Sequence, residues 1–412
     1  MSHFAADSRI GRSERASVPA SWSGTGRLTG GAVIAVLFMG STLLTPLYEL
    51  YESSYRFSAF VLVLLYSVYV IGNLLALFFF GQLSDRIGRK PLVFAALGLA
   101  AASAAVFLIA ERLWWLFLAR VVSGFAVGIG SGAATAWITE FTPPERRARA
   151  AAIMTGFNFL GLAAGPLLSG MLVQYAPHPL RLPFIAYLGV VAVAAALAAT
   201  QPETLATTGR ATFKPRLGVP ADARSAFIAP AAGGFAAMAV VGFYAALGPT
   251  VIRQNLHIAN HALASAIVAE LFVVSATLIV ATRQVDGRKL MLWGLAATPI
   301  GMALLIGAER SGSLAVLLLG TAVCGITGAF GYRGGLAVVN SLAPPERRAE
   351  IASAFFVCCF CGNALPIIGA GALTLATSAR IADLVFAVVI AVIAALAFAA
   401  AFAVPKRPEI RA

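Results

Sequence analysis

Long apolar runs alternate with short polar turns along most of this chain. Most runs reach the ~20 residues that a helix needs to cross a ~30 Å hydrocarbon core. The alternation therefore predicts an all-α polytopic membrane protein with twelve spans, numbered in chain order. Their predicted limits are 29–50, 58–80, 91–110, 113–138, 150–175, 183–200, 226–249, 261–282, 290–307, 314–340, 350–376 and 381–404.

The composition excludes soluble classes of protein. Of the 412 residues, 60% are hydrophobic and 11% are charged, whereas soluble domains carry about 25% charged residues. The cysteines all fall inside predicted spans 10 and 11, and their spacing offers too few donors for a metal. We therefore expect them to pack as small side chains and predict no metal site. They are Cys324, Cys358, Cys359 and Cys361.

The net charge of +13 suggests a nucleic-acid partner, but its distribution argues against one. One Arg falls in each of six alternate loops, and Arg120 and Arg333 fall inside spans. All other Lys and Arg lie in the tails and the remaining loops. This asymmetry predicts that both termini are cytoplasmic and that the basic side faces the lipid headgroups of an inner or plasma membrane. The six loop residues are Arg56, Arg112, Arg181, Arg253, Arg310 and Arg380.

The chain repeats itself at half its length. Residues 143–148 read Pro-Pro-Glu-Arg-Arg-Ala and recur at 344–349, and Pro46 near the end of span 1 has a counterpart in Pro249 near the end of span 7. Such a repeat predicts two six-helix bundles with similar helix order. We expect a cytoplasmic tail at 1–27, bundles at 28–200 and 226–404, a cytoplasmic linker at 201–225 and a cytoplasmic tail at 405–412.

The turn between spans 2 and 3, residues 81–90, reads Gly-Gln-Leu-Ser-Asp-Arg-Ile-Gly-Arg-Lys. It resembles the loop between helices 2 and 3 of the major facilitator superfamily of transporters, and the span count, repeat and linker extend the resemblance to residues 29–404. The resemblance implies that spans 3, 6, 9 and 12 face lipid. It also implies a cytoplasmic gate in which Asp85 meets the start of span 11 and Arg89 pairs with Glu140. The alternative is a basic anchor without a gating role. The predicted gate residues are Gly81, Asp85, Arg86, Gly88, Arg89, Lys90 and Glu140.

Span 5 contains Gly161, Gly165, Pro166 and Gly170, with Ser169 before the last glycine. Glycines spaced four apart let helix backbones approach closely, and proline bends a helix. The segment resembles the GxxxGPxxGG pattern of proton-coupled antiporters in this superfamily, with Ser169 replacing one glycine. Alone, a glycine-rich membrane helix is ordinary packing. In this setting it favours export and a likeness to the twelve-helix drug–proton antiporters.

Span 4 contains Arg120, Gly124 and Gly128, which resemble the family's RxxxGxxxG segment and imply help in proton transfer. A buried Arg stays charged, so it can act on a nearby acid or hold an anionic substrate. The alternative is that Arg120 only satisfies backbone carbonyls.

Glu270 is the one acid that the pattern places in mid-span. A charged side chain at the bilayer centre costs roughly 2.5–3.5 kcal/mol on insertion scales. We predict that Glu270 and Arg120 couple transport to protons, and the alternative is a static Glu270–Arg333 salt bridge. Many drug–proton antiporters of the family carry an acid within span 1, where this chain has only Glu49 at the outer end, interpreted as interfacial. The histidines lie outside spans or at their ends and are not expected to relay protons: His3, His178, His257 and His261.

Polar side chains in hydrocarbon need partners or water, so they should point into the bundle. We predict a secondary transporter that exports small, amphipathic or drug-like molecules in exchange for protons by alternating access. The alternatives are a proton-coupled symporter or facilitator for a sugar or other metabolite and, less favoured, a non-transporting scaffold. The predicted substrate cavity comprises Tyr48, Asn73, Tyr244, Glu270, Arg333 and Asn363.

No phosphate-binding glycine loop or nucleophile–base pattern stands out in the sequence. We therefore expect no enzyme activity, no cofactor and no nucleotide or nucleic-acid partner. The expected partners are a small-molecule substrate, protons and the lipid bilayer, and we expect a monomer.

Overall fold

The computed structural model describes residues 22–80, 83, 87–143, 146–204, 218–255, 258–344 and 347–403. Twelve helices in this part of the chain are long and apolar enough to cross a membrane, which confirms the all-α, twelve-span prediction. We label them α1–α12 so that each label carries the number of its span. Their bounds are Trp22–Thr42, Ala59–Phe80, Arg89–Leu108, Leu113–Glu140, Arg147–Tyr175, Leu182–Ala199, Arg224–Ala246, His261–Ala281, Gly287–Ser311, Leu314–Ser341, Arg348–Ala376 and Ala379–Ala403.

The two halves of the chain pack in the same way. In the first half α1 packs on α5, α2 on α4 and α3 on α6, and the second half repeats these contacts as α7 on α11, α8 on α10 and α9 on α12. The halves meet through α5 with α8 and through α2 with α11. On the outer helices α6 and α12, apolar side chains such as Val193 and Leu396 are exposed, as expected of helices that face lipid.

Spans 1 and 7 are both interrupted near one end. After α1 the chain forms a 3-10 turn, Thr45–Leu47, which contains Pro46, and then a short helix, Tyr48–Tyr55. After α7 a second short helix, Gly248–Asn255, contains Pro249. The two interruptions touch, because the Thr45 hydroxyl donates to the Ala245 carbonyl at 2.8 Å. We call the end of the bundle that holds Arg89 the basic end. The end that holds these two interruptions is called the opposite end.

Several helices differ from the predicted limits. α1 begins at Trp22, so the predicted boundary at residue 28 falls inside a helix. α9 exceeds the predicted 290–307 because its ends carry charged residues that an apolar pattern leaves out. Asp286 caps its start by accepting from the Lys289 N–H at 3.1 Å, and Gly312, at φ 64°, terminates it.

The predicted linker at 201–225 is partly built into the two halves. Residues 201–204 continue from α6 and bind the first half, as described below. After the undescribed stretch, Val219 and Ala223 pack in a small apolar cluster with Ile351 and Phe355 of α11. The described ends of the linker are therefore each attached to one half.

Candidate functional site

Arg120 of α4 is fully buried and binds the backbones of two neighbouring helices. Its Nη1 donates to the Ser41 carbonyl at 2.7 Å, Nε to Leu65 at 3.3 Å and Nη2 to Tyr66 at 3.2 Å. Ser41 lies in the last turn of α1, where carbonyls lack intrahelical donors. Arg120 therefore closes the interrupted end of α1. These contacts fit the alternative in which Arg120 satisfies carbonyls, and its role in proton transfer stays a prediction.

Aromatic rings surround this guanidinium. The Arg120 Cζ lies 5.5 Å from the ring centre of Tyr66 and 4.8 Å from that of Tyr69, which is within cation–π range. The Tyr66 hydroxyl donates to Asn363 Oδ1 at 3.0 Å and so joins α2 to α11 across the two halves. The predicted cavity residue Asn363 therefore lies at the contact between the halves.

Two more predicted cavity residues lie beside these rings. Tyr48 is 1% exposed, and its hydroxyl has no hydrogen-bond partner among the described residues. Asn73 is buried on α2, with its Nδ2 3.5 Å from the Tyr69 hydroxyl. The structure thus brings Tyr48, Asn73 and Asn363 close to Arg120. We call Arg120, Tyr48, Tyr66 and Tyr69 the arginine–tyrosine cluster.

Glu270 lies in the second half, on α8, the helix that packs against α5 of the first half. Its side chain is partly exposed, while its Oε2 is buried without a hydrogen-bond partner in the described part of the chain. Its charge acts on Tyr244 of α7, whose hydroxyl lies 3.1 Å from Thr321 Oγ1. Two predicted cavity residues, Glu270 and Tyr244, therefore lie within electrostatic range of each other.

Arg333 does not pair with Glu270. Its Nη1 donates to the Ile279 carbonyl at 3.2 Å and to the carbonyl and hydroxyl of Thr282, both at 3.0 Å. These groups lie at the end of α8, where a cation is favoured by the helix dipole. Ile279 is nine residues beyond Glu270, or about 13 Å along the helix. The alternative of a static Glu270–Arg333 salt bridge therefore does not describe this structure, in which Arg333 caps α8 near the basic end.

Two other acids are more buried than their positions at helix ends indicate. Glu309 of α9 is 9% exposed and Asp383 of α12 is 3% exposed, and Glu309 is acted on by Asp383 and Arg380. Helices α9 and α12 lie away from the contact between the halves, so we do not include this pair in the candidate site.

The glycines of α5 sit against close neighbours. A Cβ on Gly161 would overlap the Ala35 carbonyl of α1, and one on Gly165 would lie 2.6 Å from the Met39 carbonyl. Gly170 instead faces Ser265 of α8, in the other half. The motif therefore fixes α1 to α5 within the first half and touches the second half at one position.

Pro166 of the same motif cannot donate to the Leu162 carbonyl four residues earlier, because proline has no N–H. The hydroxyl of Thr42 in α1 supplies the missing donor, at 3.1 Å from that oxygen. Ser169, which replaces a glycine of the family pattern, is fully buried and donates to the Gly165 carbonyl at 2.9 Å. The bend in α5 is thus stabilised by the end of α1.

Gly161→Ala is expected to lower the free energy of unfolding by about 1–3 kcal/mol, because the added methyl group meets backbone that no rotamer change can move. The matched control is Gly189→Ala in α6, where a Cβ meets nothing within 4 Å. Thermal unfolding of the purified proteins in detergent measures the difference. Equal melting temperatures for the two variants would contradict the close contact.

Part of the predicted gate is described. Gly88 precedes α3 at φ 110°, a conformation open to glycine because it has no Cβ. Arg89 Nη2 lies 2.9 Å from Oε1 of Glu140, the last residue of α4. Lys90 Nζ donates to the Ala199 and Gln201 carbonyls at 2.7 and 2.8 Å. These contacts all lie within the first half. Gly81, Asp85 and Arg86 lie outside the described residues, so the contact expected between Asp85 and α11 stays a prediction.

Glu203 is a residue of this region that the sequence argument missed. Its carboxylate accepts from the backbone N–H of Arg89 at 3.0 Å and of Lys90 at 2.9 Å, at the positive end of α3. The adjacent Thr204 donates its hydroxyl to Glu140 Oε2. Glu203 lies in a polar stretch without periodicity, and only the packing of α3 on α6 brings it to this position.

Glu203→Ala is expected to cost about 1–2 kcal/mol of stability, as the loss of a helix cap does, since two N–H groups of α3 lose their acceptor. Glu111→Ala, at an exposed acid in the loop between α3 and α4, is the control for loss of a negative charge. Thermal unfolding in detergent compares them. A Glu203→Ala variant as stable as Glu111→Ala would show that the cap contributes nothing.

Comparison with known proteins matches this architecture. A sequence model of the Major Facilitator Superfamily matches residues 31–231 and, separately, residues 230–412. Together the two matches cover most of the chain, one for each half.

Curated relatives include a sugar–proton symporter and resistance proteins. The chain is 32% identical over 142 residues to the arabinose-proton symporter of Bacillus subtilis, covering 34% of this chain and 29% of the relative. It is 36% identical over 106 residues to the class H tetracycline resistance protein of Pasteurella multocida, covering 26% and 25%. It is 24% identical over 185 residues to the quinolone resistance protein NorA of Staphylococcus aureus, covering 45% and 47%. The chain thus spans less than half the length of each of these relatives.

Solved structures resemble the whole fold. A bacterial homolog of the human lysosomal transporter Spinster, in an inward-facing and unoccupied conformation, aligns with a TM-score of 0.71 at 16% identity, covering 92% of this chain and 97% of that one. The human organic anion transporter MFSD10 aligns with a TM-score of 0.69 at 15% identity, covering 92% and 99%. The two matches to one family model agree with the twelve spans in two repeated halves and with the structural likeness across the fold. The chain therefore belongs to the major facilitator superfamily and is a multi-pass membrane transporter, not an enzyme.

Proposed function

We propose that this transporter exports small, amphipathic molecules in exchange for protons by alternating access. The observation that carries the proposal is Glu270, a carboxylate inside α8 that has no ion pair and whose Oε2 has no hydrogen-bond partner among the described residues. An acid inside the membrane is costly and is retained for a function. With Arg333 bound to the end of α8, Glu270 is available to take up and release a proton.

The direction of transport rests on a different observation. The α5 motif Gly161, Gly165, Pro166 and Gly170 resembles that of antiporters, and it holds α5 in close contact with α1. Tetracycline and quinolone resistance proteins among the relatives support export. The arabinose-proton symporter supports proton coupling and keeps sugar import as the second candidate.

The proposed site lies between the arginine–tyrosine cluster of the first half and the Glu270–Tyr244 pair of the second. Asn73, Asn363 and the rings near Arg120 are buried in this structure, and separation of the halves would offer their polar and aromatic groups to a flat, partly apolar molecule. We place both termini in the cytoplasm, so the basic end faces inward, and we place the protein in the inner or plasma membrane as a monomer. The Arg89–Glu140 region then lies at the cytoplasmic gate.

The test is transport by the purified chain in liposomes with an imposed proton gradient. A panel of lipophilic cations and neutral antibiotics tests export, and arabinose tests the symporter. We expect drug movement against its gradient that stops when the proton gradient is dissipated. Arabinose accumulation with the proton gradient, without drug movement, would replace the proposal by sugar symport. Absence of all flux would favour a scaffold.

A further inference from the structure

At the opposite end of the bundle, charged side chains join the two halves. Glu49 lies on the short helix Tyr48–Tyr55, in the first half, and Arg253 lies on the short helix Gly248–Asn255, in the second. Their Oε2 and Nε atoms are 2.7 Å apart, with side chains 17% and 29% exposed. The sequence argument treated Glu49 as an interfacial residue, but it forms an ion pair across the halves.

The same guanidinium also contacts His261, the first residue of α8. Arg253 Nη1 lies 3.0 Å or less from both ring nitrogens of His261. The backbone N–H of His261 donates in turn to Gln174 Oε1 of α5, in the first half, at 2.8 Å. His261 therefore sits between the ion pair and the contact of α8 with α5. We call Glu49, Arg253, His261 and Gln174 the polar latch.

The latch requires a neutral imidazole. Arg253 is a permanent cation whose Nη1 lies against the ring, so a proton on the ring would bring two positive charges into contact. A protonated ring has two donors and no acceptor, and it would add a positive charge at the start of α8, where the helix dipole disfavours one. Among the described residues, the charge acting on the ring is that of Arg253, and the charges acting on Glu49 are those of Arg253 and Glu52.

We propose that His261 is a proton-binding site that controls the contact between the two halves at this end of the bundle. The neutral ring holds Arg253 in place against Glu49. A proton on the ring repels Arg253, removes the ion pair across the halves and opens this end. An imidazole in water changes charge near pH 6.5. Because Arg253 repels a proton on the His261 ring, the closed arrangement is present at neutral pH and is lost as the pH falls below that value.

This inference extends the proposed function, because opening of the outer end is one step of alternating access. In the proposed exchange, protons enter from the outer side of the membrane, which the opposite end of the bundle faces. A latch that opens in acid would therefore open on that side. It assigns to His261 a proton separate from that of Glu270, and it names no substrate.

Ser265 provides a reporter for the test. It is fully buried one turn after His261, faces Gly170 of the other half, and its hydroxyl has no hydrogen-bond partner among the described residues. Ser265→Cys therefore changes little in the closed state. A membrane-impermeant maleimide, added from each side of oriented vesicles in turn, reports whether this position is accessible. The parent protein with its native cysteines gives the background.

With His261 present, labelling of the introduced cysteine should rise about tenfold or more between pH 7.5 and pH 5.5, as the charged fraction of an imidazole that titrates at or below pH ~6.5 does. His261→Gln keeps an acceptor that cannot take up a proton, so labelling should stay low at every pH. His261→Lys places a permanent charge at the site, and labelling should stay high at every pH. Glu49→Gln should also give high labelling throughout.

The matched control is His178→Asn, which alters an exposed histidine of the α5–α6 loop at a positive φ that asparagine tolerates. It should leave the pH response intact. Labelling that is independent of pH with His261 present, or that responds to pH in His261→Gln, would overturn the proposal. Low labelling in Glu49→Gln would show that the ion pair does not keep this end closed. The labelling measurements need no transported compound. If efflux is observed but labelling does not depend on pH, the latch proposal is rejected and the proposed transport function stands.

Discussion

Glu270→Gln is expected to lower proton-gradient-driven efflux on the order of tenfold or more, with no loss of folded protein. Glutamine keeps the size and polarity of the side chain but cannot carry a proton. No described residue forms an ion pair with Glu270, so its replacement leaves none of these residues with an unpaired charge. Removing an acid from the membrane interior should if anything favour the folded state.

The measurement is drug efflux from liposomes at a fixed proton gradient, with the melting temperature recorded for each variant. Glu111→Gln, the same chemical change at an exposed loop position, should transport like the parent protein. If Glu270→Gln keeps gradient-dependent efflux, the coupling proton is carried elsewhere and Glu270 leaves the mechanism. If it loses efflux and stability together, Glu270 has a structural role.

Arg120→Leu is expected to have the largest effect on stability, about 3–5 kcal/mol, as when one member of a buried polar set is removed. The Ser41 carbonyl, in the last turn of α1, loses its donor inside hydrocarbon, where water cannot replace it, and the Leu65 and Tyr66 carbonyls of α2 each lose a second hydrogen bond. The end of α1 should then loosen, together with the Thr42 hydroxyl that serves the bend in α5.

Thermal unfolding in detergent, compared with Arg112→Leu at an exposed position before α4, measures this loss. A melting temperature for Arg120→Leu within error of that for Arg112→Leu would show that the carbonyls find other partners. Arg120→Lys keeps the charge but offers no planar fork. It separates the two roles, because a function that needs only the charge should survive in this variant.

The twelve spans and the two halves follow from the sequence because both depend on local pattern. Apolar runs mark the helices, and the repeated residues at 143–148 and 344–349 mark the halves. The interruptions of spans 1 and 7 had a signal in Pro46 and Pro249, but the sequence does not show that the two interruptions touch. The ends of α9 were missed because charged side chains at a membrane surface do not end a helix.

The partners of charged side chains were harder to predict. Arg89 and Glu140 pair as the family resemblance implies, whereas Arg333 caps α8 instead of meeting Glu270. Glu49 and Arg253 are about 200 residues apart, and neither belongs to a motif. Such contacts depend on how whole helices pack, so hydropathy and spacing along the chain carry no information about them.

Both membrane arginines are tied to the ends of helices, Arg120 to α1 and Arg333 to α8. They move with their own halves, so in the proposed mechanism the charge at the contact between the halves changes with Glu270 and with the cargo. When one proton is exchanged for one monovalent cation, no net charge crosses the membrane. When it is exchanged for a neutral molecule, one positive charge moves inward in each cycle. The membrane voltage then adds about 2.3 kcal/mol per 100 mV to the export of neutral compounds and nothing to that of monovalent cations.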